Sequence, residues 1–162
     1  LTELDALPDD RFVAEMAPLF EGAPRFLARL AAARPFGSEE ALFDAAGRIA
    51  LAMPEDEQIE LIDAHPRLGA PPASVSAMSF REQGYDRETE AAVESLGRLN
   101  EQYERRFGFR YCVFVNGRPR TALVPELEAA LGRDRDSERE RALSDVVAIA
   151  RDRYRKGRGV AT

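Results

Sequence analysis

Only one stretch of this chain, Phe109-Arg110-Tyr111-Cys112-Val113-Phe114-Val115, has the β-branched and aromatic make-up of a strand. One strand cannot make a sheet. Asn116-Gly117 has the form of a hairpin turn, but the returning segment carries Pro119 and two arginines. No second strand is on offer. The stretch is therefore expected to lie buried and extended between helices, and the rest of the chain must supply a helical fold.

Apolar residues elsewhere recur at intervals of three and four, the spacing of one helix face. Asp9 and Asp10 stand where they can cap a helix bearing Phe12, Met16, Leu19 and Phe20. Gly22 and Pro24 punctuate, and Phe26, Leu27 and Leu30 follow. Ser38 offers a cap for a helix with Leu42, Phe43, Ala46, Ile49, Ala50 and Met53. Pro54 fits the start of the next, which ends by Ala64 because His65 precedes a proline. A long helix is expected from about Arg87 to Phe107, with Gly108 as a left-handed stop. Pro125 is expected to begin another, and Asp136 or Ser137 to cap the last, which carries Leu143, Val146, Val147, Ala150 and Tyr154. The fold class is thus all-α. One domain over residues 1–162 is expected, a bundle of about seven to eight helices with one extended buried segment.

A net charge of −6 argues against nucleic acid as a partner. Cys112 is the sole cysteine and His65 the sole histidine, which excludes a disulfide within the chain and an ordinary Cys/His zinc cage. A carboxylate-only site stays open with 29 acidic residues, but no spacing argues for one and no metal is expected. No apolar run approaches the roughly 20 residues that span a bilayer, and no signal-like start is present. No membrane association is expected, and the location is read as cytoplasmic.

Chemistry must then come from helix ends and loops. His65 titrates near neutrality by residue type and sits on backbone stiffened by Pro66, which suits proton transfer. The bland alternative is a cap or surface residue. Ser79 and Glu82 form Ser-x-x-Glu, the pattern of a capping box. The same helix start also suits an anion, and Gln83 adds an amide able to read a carbonyl or ring nitrogen. Residues 69–77, small and proline-rich, can cover a cleft or merely connect. Arg153 follows Val146 by seven and Ala150 by three, so it falls near the buried side of its helix. It needs either an internal carboxylate or an anionic ligand.

In order along the chain stand Arg34-Pro35-Phe36, Leu61-Ile62-Asp63-Ala64-His65-Pro66-x-Leu68 and Ser79-x-x-Glu82-Gln83. Leu99-Asn100-x-x-Tyr103, Phe107-Gly108-Phe109 with the apolar run 111–115, and Ile149-Ala150-x-x-Arg153 follow. Together they resemble the 2-oxo-4-hydroxy-4-carboxy-5-ureidoimidazoline (OHCU) decarboxylases, which act last in converting urate to (S)-allantoin. The resemblance covers nearly the whole chain. It implies an all-helical enzyme that needs no cofactor, forms a homodimer and takes a small-molecule substrate. It makes His65 the principal acid/base residue and Glu82 a second catalytic group. It assigns substrate contacts to Pro66, Ser79, Gln83, the stretch Tyr111, Cys112, Val113, Phe114 and Val115, and Arg153. The sequence departs from the family pattern at Arg110-Tyr111, where relatives commonly carry Pro-Phe, and in the short continuation Gly84-Tyr85-Asp86.

Two other readings stay open. One is a non-catalytic helical adaptor that binds a partner through residues 69–86, with His65, Ser79 and Glu82 as mere caps. The other is a related lyase acting on a different ureido or purine metabolite.

Overall fold

The computed structural model describes residues 1–69 and 90–158. Among these there are eight α-helices, one 3₁₀ turn and no strand. The chain divides into two compact units.

The first unit comprises Leu1–Ala64 together with the chain from Leu143 onward. It contains α1 (Thr2–Asp5), α2 (Asp9–Met16), the 3₁₀ turn Ala17–Leu19, α3 (Pro24–Ala32), α4 (Glu39–Ala52) and α5 (Glu55–Asp63). Phe12, Met16, Phe20, Phe26, Leu27, Leu30, Leu42, Phe43, Leu61 and Ile62 are buried, as the apolar spacing predicts. Ser38 caps α4 by accepting from the Ala41 N–H at 3.1 Å. Asp9 and Asp10 do not cap α2. Pro8 holds the cap position and both carboxylates fall in the first turn, where the helix dipole favours them.

Two side chains in this unit satisfy backbone groups that helix ends leave open. Buried Gln58 donates through Nε2 to the carbonyls of Ala50 and Leu51 at 3.0 and 3.2 Å, at the C-terminal end of α4. Arg34 bridges the α1–α2 connection. It donates to the carbonyls of Ala31 (2.9 Å) and Leu7 (2.6 Å), pairs with Asp9 and lies over the Phe12 ring. Asp5 in turn accepts the N–H groups of Phe36 and Gly37. The Arg34-Pro35-Phe36 element therefore has a structural task here.

The second unit spans His65–Ala142. It contains the loop 65–69, α6 (Glu90–Phe107), the segment 110–115, α7 (Arg120–Ala130) and the first turns of α8 (Arg135–Gly157). Leu96, Leu99, Tyr103 and Phe107 form the buried stripe of α6. Gly108 stops that helix at φ 81°, as expected of a left-handed cap. The aromatic rings of Phe107, Phe109 and Tyr111 gather around Tyr103 at 4.5, 5.9 and 5.1 Å.

Residues 110–115 carry neither helix nor strand, and Tyr111, Cys112, Val113 and Val115 are buried. The Asn116-Gly117 turn forms, with φ 49° and 75° and a bond from the Arg118 N–H to the Val115 carbonyl at 3.1 Å. It turns the chain into a helix, not a returning strand. That helix begins five residues before the predicted Pro125. Pro119 already provides the N-cap, and Pro125 sits inside the helix. The cap of α8 also differs from expectation. Asp134, not Asp136 or Ser137, accepts the Ser137 N–H, at 3.4 Å, and this contact with Ser137 holds its carboxyl below the ordinary range.

Candidate functional site

α5 ends at Asp63, and Pro66 prevents its continuation. His65 therefore stands at a bend. It is buried, 4% exposed, which sets aside the reading of a surface residue. Its backbone is held by Arg110, whose Nη1 donates to the His65 carbonyl at 3.2 Å. This contact links the His65 corner to the segment 110–115.

The loop after His65 is clipped along one face of α6 by residues spaced four apart. Gly69, at φ 81°, packs against Leu96; a Cβ built on it would meet that side chain at 3.4 Å. Asn100 Nδ2 donates to the Leu68 carbonyl at 2.7 Å. Arg67 pairs with Glu104 through contacts of 2.7 and 2.8 Å, which raise the guanidinium's already high pKa. An apolar contact, a buried hydrogen bond and an ion pair thus hold three successive residues of one loop. Asn100 Oδ1 is buried with no hydrogen-bond partner among the described residues, so it can accept from a donor outside them.

The segment 111–115 is held from behind. Arg141 Nη1 donates to the Cys112 carbonyl at 2.9 Å, and Arg118 donates to those of Phe114 and Val115 at 2.6 and 2.9 Å. Arg141 is itself fixed by Glu138, a carboxylate with 1% of its side chain exposed, through bonds of 3.0 and 3.1 Å. Glu138 also accepts from Tyr103 Oη (2.8 Å) and Arg133 Nη1 (3.2 Å). Burial pushes the Glu138 carboxyl up. The hydrogen bond and charge of Arg141, with Tyr103 and Arg133 added, outweigh this and leave it below the ordinary range. The Tyr103 phenol is pushed far up, first by burial and then by the Glu138 charge.

Of the expected site residues, His65, Pro66 and Tyr111, Cys112, Val113, Phe114 and Val115 lie in the second unit. Ser79, Glu82 and Gln83 lie outside the described residues. Arg153 lies in the first unit, 3% exposed, where it donates to the Pro18 carbonyl and to Glu21 Oε1, both at 2.9 Å. The internal carboxylate considered for it in the sequence is present.

The sequence reading missed Glu138, Arg141, Arg118 and Arg110. For Glu138 a signal existed: it heads the i, i+4 row Ala142, Val146, Ala150, and a carboxylate on an apolar row needs a buried cation. Arg120 was read as one of two arginines opposing a strand; its side chain is wholly buried at the start of α7. A shallow groove of about 370 Å³ in the first unit is lined by Arg29, Ala32, Ala33, Ile49, Ala52 and Met53, and has no acid/base pair. Among the described residues no helix is long and apolar enough to cross a membrane, and no cluster of side chains is arranged for a metal ion.

A family model described as OHCU decarboxylase matches residues 5–155. The 2-oxo-4-hydroxy-4-carboxy-5-ureidoimidazoline decarboxylase of Haloferax volcanii is 29% identical over 152 residues, covering 93% of this chain and 90% of the relative. The uric acid degradation bifunctional protein PucL of Bacillus subtilis is 31% identical over 156 residues, or 94% of this chain but only 31% of that longer protein. A crystal structure of OHCU decarboxylase in the presence of (S)-allantoin superposes with a TM-score of 0.73 at 20% identity, covering 88% of this chain and 95% of the other.

Proposed function

Because this chain belongs to the OHCU decarboxylase family, we propose that it decarboxylates 2-oxo-4-hydroxy-4-carboxy-5-ureidoimidazoline to (S)-allantoin in urate degradation, with His65 and Glu82 as its acid/base groups. The family match over residues 5–155 carries this reading. A buried imidazole at a braced helix-to-loop corner supports the choice of His65.

In this reaction the bond from the hydroxyl-bearing ring carbon to the carboxylate breaks and CO2 leaves. The electron pair forms a double bond to the ureido-bearing carbon and displaces the ring C=N pair onto nitrogen, which takes a proton. The enol so formed then gives up its hydroxyl proton as the ureido-bearing carbon takes one on one face, leaving the carbonyl. The redox state does not change, so the chemistry asks for no cofactor. His65 exchanges the proton with the reacting centre, and Glu82 sets its charge and tautomer or shares the transfer. Pro66, Ser79, Gln83 and the backbone of 111–115 shape a chiral pocket and orient the ring. Arg153 holds the anionic end of the substrate, a role in which the ligand carboxylate competes with Glu21 for the guanidinium. The enzyme works as a homodimer, as the family resemblance implies, and light scattering is expected to give twice the chain mass.

The substrate also decays without an enzyme, so the test must read handedness as well as rate. Urate-oxidation intermediate is supplied fresh and the circular dichroism of the product followed. A dichroic (S)-allantoin signal rising faster than spontaneous decay is expected. Racemic product formed at the spontaneous rate would overturn the reading and leave the adaptor alternative.

A further inference from the structure

A carbonyl outside helices and sheets must find its partner individually. In the second unit arginines serve this need from the last residue of α6 through the chain that follows it. Arg135 Nε donates to the Phe107 carbonyl at 2.8 Å, Arg141 to that of Cys112 and Arg118 to those of Phe114 and Val115.

Two of these bonds do more than satisfy an acceptor. The Cys112 carbonyl and the Val113 N–H belong to one planar trans peptide, and so do the Phe114 carbonyl and the Val115 N–H. Fixing the oxygen at one edge of that plane fixes the direction of the N–H at the other. Arg141 can do this because it has little freedom of its own. Nε and Nη2 are engaged two-pronged by buried Glu138, and its guanidinium lies 5.1 Å from the centre of the Tyr111 ring. Arg118 is held by a single ion-pair contact with Glu126 and by its own two bonds to the Phe114 and Val115 carbonyls. A carbonyl that accepts from a cation also polarises its peptide, which makes the attached N–H a better donor.

Val113 and Val115 are buried, 8% and 6% exposed. Among the described residues no hydrogen bond takes up the N–H of either one. Buried N–H groups rarely stay unpaired, so two aimed and polarised donors call for an acceptor.

We propose that Arg141 and Arg118 are positioning residues for the reaction. Through the peptide planes 112–113 and 114–115 they aim the N–H groups of Val113 and Val115 at the oxygens of the substrate. Glu138 is the fulcrum that makes Arg141 rigid. This rests on the reading that 111–115 contact an OHCU-type substrate. The family resemblance points to that backbone but not to the arginines behind it.

The test pairs kinetics with a direct view of the amides. In ¹⁵N-labelled wild-type protein, titration with (S)-allantoin is expected to move the Val113 and Val115 amide signals. Arg141→Met and Arg118→Met are each expected to raise KM about tenfold, the weight of one net hydrogen bond, and to lower the enantiomeric excess. The shape of the kcat–pH profile stays unchanged, because the acid/base pair is untouched. A purely structural role would lower the melting temperature and leave KM alone. If wild type makes no (S)-allantoin above background, the proposed function fails and this inference falls with it. If wild type is active but its two amides ignore (S)-allantoin, or a folded variant keeps wild-type KM, the inference alone fails. Should Arg141→Met not fold, Arg118→Met and the wild-type amides decide.

Discussion

The side-chain amide of Asn100 donates to the carbonyl of Leu68 at 2.7 Å, joining α6 to the loop three residues past His65. The bond is buried, so neither partner can fall back on water. It fixes where the loop leaves the helix, and hence where His65 can stand.

Asn100→Leu is therefore expected to cost about 1–3 kcal/mol of stability, since it strands a buried carbonyl. It is also expected to lower kcat/KM by about tenfold or more through the displaced imidazole. Urea denaturation and steady-state kinetics check the two effects together. A destabilised variant with full activity would show that the loop keeps His65 in place without Asn100.

His65→Asn is expected to leave the helical circular dichroism unchanged and to remove about 10²-fold or more of the rate above spontaneous decay, the usual weight of a general acid/base group. The product should then be racemic. Glu82→Gln is expected to act in the same direction. A variant of either kind with full stereoselectivity would remove that residue from the proposed chemistry.

Glu138 gives a pH dependence with a definite sign. Its folded pKa lies below its ordinary value of 4.5, so the charged form favours the folded protein. That contribution is full above 4.5 and is lost as the pH falls through the lowered folded value. Wild-type protein is thus expected to lose stability steeply on the acid side of 4.5. Glu138→Gln is expected to be about 3 kcal/mol less stable at neutral pH, because Arg141 and Arg133 lose a buried carboxylate, and to show a flatter acid limb. Denaturation curves collected between neutrality and acid pH separate the two.

Arg153 and Glu21 make the corresponding pair in the first unit. Glu21→Gln weakens the tie on a nearly buried guanidinium and is expected to cost about 2–3 kcal/mol. If Arg153 also holds the substrate, Arg153→Met raises KM beyond what Glu21→Gln does. Equal KM values in the two variants would confine Arg153 to its structural pairing.

Much of this was legible in the residue order. The apolar rows of α2 to α6, the stop at Gly108, the cap at Ser38 and the turn at Asn116-Gly117 all rest on neighbours within a few residues. Three local readings failed because a closer signal competed. Pro8 took the cap of α2 ahead of Asp9 and Asp10. Pro119 started α7 before Pro125 could, and Asp134 capped α8 ahead of Asp136. The segment 110–115 illustrates both sides of the matter. Its composition suggested a strand, and the lack of a partner strand correctly ruled that out.

Sequence alone determined the helices, because their pattern repeats over three or four residues and each turn restates it. It also singled out His65, whose bend follows from the proline next to it. Only the tertiary structure decided which partners the buried polar side chains of each unit find. Asn100 reaches back 32 residues to Leu68, Arg141 reaches 29 to Cys112, and Arg153 meets Pro18 across 135. The local pattern put Arg153 near a buried face, but nothing in it names the partner of any of these side chains. They are chosen by packing, which takes some polar groups out of water and obliges each to find a partner wherever the fold has placed one.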